Sequence, residues 1–342
     1  MGQKVTRPSI LLSKTQKKRF FEIISQFKKA RILVIGDFIL DHFIWGKVER
    51  ISPEAPVPVV HVQKDSYMPG GSLNVANNIH TLGGIVYPVG VVGRDREGRM
   101  LRKVIRQAGI DPGGIVYDRH RPTALKTRVI AHSQQVVRFD REKTECVSDE
   151  IQKNILKFFR QRLSACDVII IEDYGKGVIE ETLLKEVVHL ARKQKKPVLV
   201  DPKEKHFSYY QGVTAITPNR KEAYGGFLNG RAEDREYSLD EVGWGLVRQL
   251  NSEAVLMTLG EDGMALYERN GSKTTIPTAA REVFDVSGAG DTVIAVFGLA
   301  LACGAKMKEA AVISNLAAGI VVGKLGTATV SQDELKQAVQ KL

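Results

Sequence analysis

Six short runs of this chain are apolar almost throughout: residues 31–36, 85–92, 168–171, 197–200, 213–216 and 254–259. A strand with one wet face alternates, so runs like these suit strands buried on both faces. Helix-period segments lie between several of them, at residues 73–82, 100–108, 151–163, 182–193 and 240–250. That alternation predicts an α/β fold in three α/β/α layers, with a mostly parallel central sheet. The last third reads as helical, at 289–302, 307–322 and 332–341, and Arg269-Asn270-Gly271-Ser272 signals a hairpin. Two regions break the rhythm. Residues 43–62 carry Pro53, Pro56 and Pro58 among β-prone pieces, and residues 123–140 alternate as extended strands. Both are expected to form a small β lid projecting from the sheet edge. A chain of 342 residues can hold all this in one large unit.

The net charge is +11. Much of the excess is N-terminal, in Lys14, Lys17, Lys18, Arg19, Lys28, Lys29 and Arg31, where Phe20, Ile23, Ile24 and Phe27 recur at helical spacing. Residues 1–30 are therefore expected to be a basic amphipathic extension docked on a main domain of residues 31–342. Binding of nucleic acid or a membrane surface is the other use of such charge. No zinc-finger spacing or aromatic-basic RNA motif supports the first, and no apolar run is long enough to insert in a bilayer. Cys146, Cys166 and Cys303 are odd in number and far apart, which fits a reducing compartment and no metal cluster. Ile10-Leu11-Leu12 is too short for a signal sequence, so a soluble, cytoplasmic protein is expected.

Four segments can carry chemistry. Gly288-Ala289-Gly290-Asp291-Thr292 precedes an apolar helical run. Glycines at a helix mouth turn backbone amides toward a ligand, and the helix dipole favours a phosphoryl group there. Asp291 in the first turn could accept a proton from an attacking hydroxyl; an Asp that merely favours the helix N-terminus fits these five residues as well. Asn219 and Glu222, in Thr217-Pro218-Asn219-Arg220-Lys221-Glu222, share a face of a starting helix. They suit either hydrated Mg²⁺ or a capping box. Thr258-Leu259-Gly260-Glu261-Asp262-Gly263 ends a strand, as either a nucleotide-bordering turn or a bland one. Gly70-Gly71-Ser72-Leu73-Asn74 opens a helix, while Gly36-Asp37 and Asp41 follow the first strand, where open α/β sheets place ligands. The dinucleotide fingerprint fails at Val293, and Gly319-x-x-x-Gly323-Lys324-Leu325 is a misspaced P-loop.

Taken in order, these segments resemble the ribokinase-like (PfkB) carbohydrate kinases over roughly residues 30–335. The Arg50-Ile51-Ser52-Pro53-Glu54-Ala55-Pro56 stretch, Gly70-Gly71-Ser72-Leu73-Asn74 and Glu172-Asp173-Tyr174-Gly175-Lys176-Gly177 are similar to those of the D-glycero-β-D-manno-heptose 7-phosphate kinases. The resemblance implies ATP- and Mg²⁺-dependent phosphorylation of the anomeric hydroxyl to a 1,7-bisphosphate, in ADP-heptose and lipopolysaccharide core synthesis. Another sugar or hexose phosphate, or a non-catalytic sugar or nucleotide sensor, would be the alternatives. The chain lacks the His-x-Gly-His motif of a nucleotidyltransferase domain that many relatives carry, so a kinase alone is expected.

By position, the resemblance makes Asp291 the base and Gly288, Ala289 and Gly290 the anion hole. Asn219, Arg220, Lys221 and Glu222 would serve ATP-Mg, with Thr258, Gly260 and Gly263 along the nucleotide. Asp37, Asp41, Gly70, Gly71 and Asn74 would hold the sugar. Asp285 and Ser287 would border a monovalent cation such as K⁺. Lys126, Arg138 and Lys176 are the candidate cations for a substrate phosphate. A homodimer through the lid is implied, with no nucleic-acid partner.

Overall fold

The computed structural model describes residues 12–132, 134–229, 235–280, 283–324, 326 and 328–342. Residues 1–11 of the expected extension and Ser133 of the expected lid lie outside the described residues. The strands are β1 (Arg31–Gly36), β2 (Phe38–Ile51), β3 (Pro58–Gly71), β4 (Ile85–Gly93), β5 (Ile115–Asp118), β6 (Ala124–Ala131), β7 (Gln134–Arg141), β8 (Val168–Glu172), β9 (Val198–Asp201), β10 (Ala215–Ile216), β11 (Ala254–Thr258), β12 (Met264–Glu268) and β13 (Lys273–Ile276). The α-helices are α1 (Lys14–Gln26), α2 (Ser72–Thr81), α3 (Arg96–Gln107), α4 (Asp149–Leu163), α5 (Glu181–Lys193), α6 (Arg220–Leu228), α7 (Leu239–Gln249), α8 (Ala289–Ala302), α9 (Met307–Val321) and α10 (Gln332–Lys341).

Among the described residues, nine strands form one sheet in the order β13-β12-β11-β10-β9-β8-β1-β4-β5. It is parallel from β11 to β5, and the β12–β13 hairpin adds an antiparallel edge. Successive side chains of a strand point to opposite faces, so each apolar run feeds two cores. Ile32, Val34, Val168 and Ile170 pack under α1, α2, α3, α8, α9 and α10. Leu33, Ile35, Ile169 and Ile171 pack under α4, α5, α6 and α7. The three-layer expectation holds.

The basic segment docks on the body: Phe20, Ile23, Ile24 and Phe27 of α1 and the turn after it are buried in the same core as α8 and α9. One expectation needs correction: the lid, a four-stranded sheet in the order β3-β2-β6-β7, reaches beyond residues 43–62. Only Asp37 separates β1 from β2, and β3 runs straight into α2. The first four residues of β2 are buried on both faces where the lid meets the body, so no alternation announces them. Proline lacks the N–H that a central strand must donate; Pro53 and Pro56 lie in the β2–β3 connection, and Pro58 opens the edge strand β3.

Candidate active site

Helix α8 is apolar along most of its length and buried in ten of its fourteen residues. Its N-cap, Gly288, sits at φ 78°, a left-handed conformation that favours glycine. Asp291 lies in the first turn and is only 5% exposed. Both its oxygens accept hydrogen bonds. Asn74 Nδ2, on α2, donates to Oδ2 at 2.5 Å, and the Tyr174 hydroxyl donates to Oδ1 at 2.8 Å. Burial pushes the Asp291 carboxyl above its ordinary pKa, and the two donors pull it part of the way back. A Cβ added at Gly290 would meet only Asp201 Oδ2, at 3.7 Å, so the helix mouth is open to a ligand. The segment thus has the first-turn placement of Asp291 that was read from it.

Two further carboxylates that sequence reasoning missed stand beside it. Glu172 ends β8 and Asp201 ends β9, and one oxygen from each falls within 4.8 Å of the others and of Asp291. Burial first, then the charges of Glu222 and Asp291, push Asp201 up to about 8. Burial, with Asp201 and Asp291 nearby, holds Glu172 well above the carboxylate range. Thr217 Oγ1 donates to Asp201 at 2.9 Å, while Glu172 Oε2 is buried without a partner. Crowded, under-satisfied oxygens at the carboxyl ends of adjacent strands suit a hard divalent cation. Mg²⁺ fits this donor set. The available signal was an acid at the last position of two buried strands.

Asn219 and Glu222 do form the capping box: each side chain accepts the other's backbone N–H at 3.0 Å. Glu222 nonetheless remains an electrostatic neighbour of Asp201, so capping does not remove it from the carboxylate cluster. A bridge between Asn219 and Thr258 brings the second and third segments side by side. Gly260 has φ 63° with open space around it, whereas a Cβ at Gly263 would overlap the Ile276 carbonyl oxygen, which gives that glycine a packing reason. Arg220 and Lys221 are exposed on α6, with Arg220 tied to Asp262 at 2.7 Å.

On the sugar side the structure redistributes roles. Asp37 is 1% exposed. Its Oδ2 accepts the amides of Tyr174 and Lys176, each at 3.0 Å, and its Oδ1 accepts that of Val178 at 3.2 Å. Its carboxylate clamps a loop, with these three contacts all going to backbone amides of residues 174–178. Asp41 lies on β2 and pairs with Arg128 at 2.5 Å. A Cβ at Gly70 would strike that Asp41 carboxylate, and Gly71, at φ 58°, is the N-cap of α2. Asn74 is bound to Asp291, and its Oδ1 is buried without a partner.

The three candidate phosphate cations are brought together, already neutralised in part. Arg138 pairs with Asp140, Asp140 with Lys126, Lys126 with Glu142, and Glu142 with Lys176. Three cations against two carboxylates leave one net positive charge. Arg128, one turn of alternation from Lys126, was missed, because nothing in the sequence says which basic residue of β6 meets Asp41. Asp285 accepts the amides of Ser287 and Gly326, at 2.9 and 3.1 Å, in the loop before α8. No helix among the described residues is long and apolar enough to cross a membrane.

Known proteins share this fold. Solved structures with the same fold include phosphofructokinase-2 from Escherichia coli in complex with potassium, at TM-score 0.74 and 17% identity over 91% of this chain and 99% of that one. A ribokinase from Thermotoga maritima matches at TM-score 0.69 and 20% identity, over 91% of this chain and 99% of its own. Among curated sequences, the bifunctional protein HldE of Desulfatibacillum aliphaticivorans is 44% identical over 93% of this chain. That of Geobacter metallireducens is 45% identical over 94%. The chain spans 64% and 65% of the lengths of those two relatives. The model of the pfkB family carbohydrate kinases matches residues 29–334, and the chain belongs to that family.

Proposed function

We propose that this chain transfers the γ-phosphoryl group of ATP to the anomeric hydroxyl of a heptose 7-phosphate, giving the 1,7-bisphosphate. The observation that carries the chemistry is Asp291, buried at the open N-terminus of α8 with both oxygens held by donors. The substrate rests on the likeness of residues 50–56, 70–74 and 172–177 to heptose 7-phosphate kinases and on the similarity to HldE proteins. A cytoplasmic place and service to ADP-heptose synthesis belong to the same reading.

Asp291 takes the hydroxyl proton as the sugar oxygen attacks the γ-phosphorus and the bond to ADP breaks. The amides of residues 288–290 and the α8 dipole face the charge on the transferring group. Glu172, Asp201 and Glu222 would hold Mg²⁺, directly or through water; the ion would neutralise the ATP phosphates. Asp41 and Asn74 Oδ1 would orient the sugar hydroxyls. Arg128 and the net-positive chain through Lys126 and Lys176 would meet the substrate phosphate. A monovalent cation beside Asp285 and Ser287 and a homodimer through the lid complete the proposal.

Asp291→Asn should lower sugar-dependent ADP formation by roughly three or more orders of magnitude while leaving the fold intact, because the base and its charge are both lost. Near-normal turnover would remove Asp291 from the chemistry. A panel of heptose 7-phosphate, fructose phosphates and tagatose phosphates, with product identification, tests the substrate. Preference for a hexose phosphate would overturn the heptose reading alone.

A further inference from the structure

Asp37 is buried and carries a charge-bearing side chain, yet it touches neither of the groups proposed to react. Its contacts run in two directions. Its carboxylate gathers the amides of Tyr174, Lys176 and Val178, which wraps the 173–178 loop around it. That loop bends through Gly175 at φ 66° and Gly177 at φ 83°, and it delivers the Tyr174 hydroxyl to Asp291 Oδ1. Meanwhile the Asp37 carbonyl oxygen accepts both the backbone N–H of Ser72, at 3.1 Å, and its hydroxyl, at 3.0 Å. This fixes the first turn of α2, which delivers Asn74 to Asp291 Oδ2. Both donors on the base therefore trace back to one residue, through contacts that span 35 and 137 positions of sequence.

We propose that Asp37 is a positioning residue for the base: its side chain sets Tyr174, and its carbonyl sets Asn74, so that one residue orients the whole Asp291 carboxylate. The proposal rests on the reading of Asp291 as the base. A carboxylate held by two donors can rotate about its Cβ–Cγ bond only by breaking one of them. The orientation is thereby fixed before substrate arrives, which is where positioning contributes to rate. An Asp at this place that held the sugar instead would act on binding, not on turnover.

The test compares Asp37→Asn, Tyr174→Phe and the double variant in steady-state kinetics and by hydrogen exchange. Asn presents an N–H₂ to amides that need an acceptor, so Asp37→Asn should raise exchange in the 173–178 peptide. This readout needs no turnover. Each single variant should lower kcat by about 10-fold or more, the scale of one lost charge-assisted hydrogen bond, with KM for the sugar phosphate little changed. The double variant should be no slower than the slower single one, because both act on the same arm. Unchanged exchange at 173–178, a sugar KM raised with kcat intact, or additive losses would each overturn the proposal. If Asp37→Asn does not fold, Gly175→Ala strains the same loop without a clash, since its Cβ would come no closer than 3.4 Å to Lys203; it should then reproduce the Tyr174→Phe loss. If wild-type protein phosphorylates no sugar, the function fails, and the exchange result still decides whether Asp37 holds the loop.

Discussion

Asp291 must be ionised to accept a proton, and burial raises its pKa. If Asp291 is the base, the acid limb of kcat/KM against pH should therefore lie above the value of an ordinary Asp. Asn74→Ala removes a donor that favours the charged form, so that limb should move to still higher pH; a shift downward would contradict the geometry. The neighbouring acids set a second pH dependence. Asp201 is pushed up to about 8 and Asp37 to about 6. His206 is also raised, through its hydrogen bond to Asp173. Groups whose folded pKa is raised stabilise the fold at low pH and lose that contribution as pH rises through the folded value. Metal-free protein should melt at progressively lower temperature from about pH 5 to pH 8, a window set by these raised values, and Asp201→Asn should flatten the slope. A melting temperature constant over that window in calorimetry would count against it. At this scale the sequence was partly legible. Gly-Ala-Gly-Asp can be found by inspection, because its parts are contiguous. The different jobs of Asp37 and Asp41 cannot, because their partners are Tyr174 and Arg128, many residues away.

Helices and buried strands were readable because burial imposes a period. Boundaries were readable only where the cap was. Helix α3 begins at Arg96, ahead of its first apolar residue, because the Asp95 side chain accepts the Gly98 amide at 2.8 Å. The exposed side of α3 carries Arg99, Arg102, Lys103 and Arg106. These like charges recur three and four residues apart, and Arg96 and Arg99 oppose the positive end of the helix dipole. Arg99→Glu would supply partners for Arg102 and Lys103, and it should stabilise the protein by about 0.5 kcal/mol, visible as a melting temperature raised by a degree or so. No change or a fall would count against this account of the charges on α3. The lid strands were less legible, since the buried start of β2 lacks the alternation that marks a half-wet strand.

The whole molecule joins two sheets of different character. The nine-stranded sheet is covered on both faces. The lid leaves apolar side chains in solvent: Val62 at 55%, Val137 at 48% and Phe139 at 53% exposure. Strand β7 is exposed in all eight residues and forms a sheet edge, an arrangement that invites a second copy. Phe139→Asp should shift the protein toward monomer in sedimentation velocity; a wild-type protein that is already monomeric at micromolar concentration would remove the lid interface. Three layers follow from the order of apolar runs, but the way the lid closes does not, because it depends on contacts between segments that share no local pattern.

The single residue between β1 and β2 has a mechanical consequence. Asp37 joins β1 of the body directly to β2 of the lid, and its carboxylate and carbonyl also hold the loop and the helix turn that carry Tyr174 and Asn74. Any displacement of β2 relative to β1 would therefore be felt at the two donors that hold the Asp291 carboxylate.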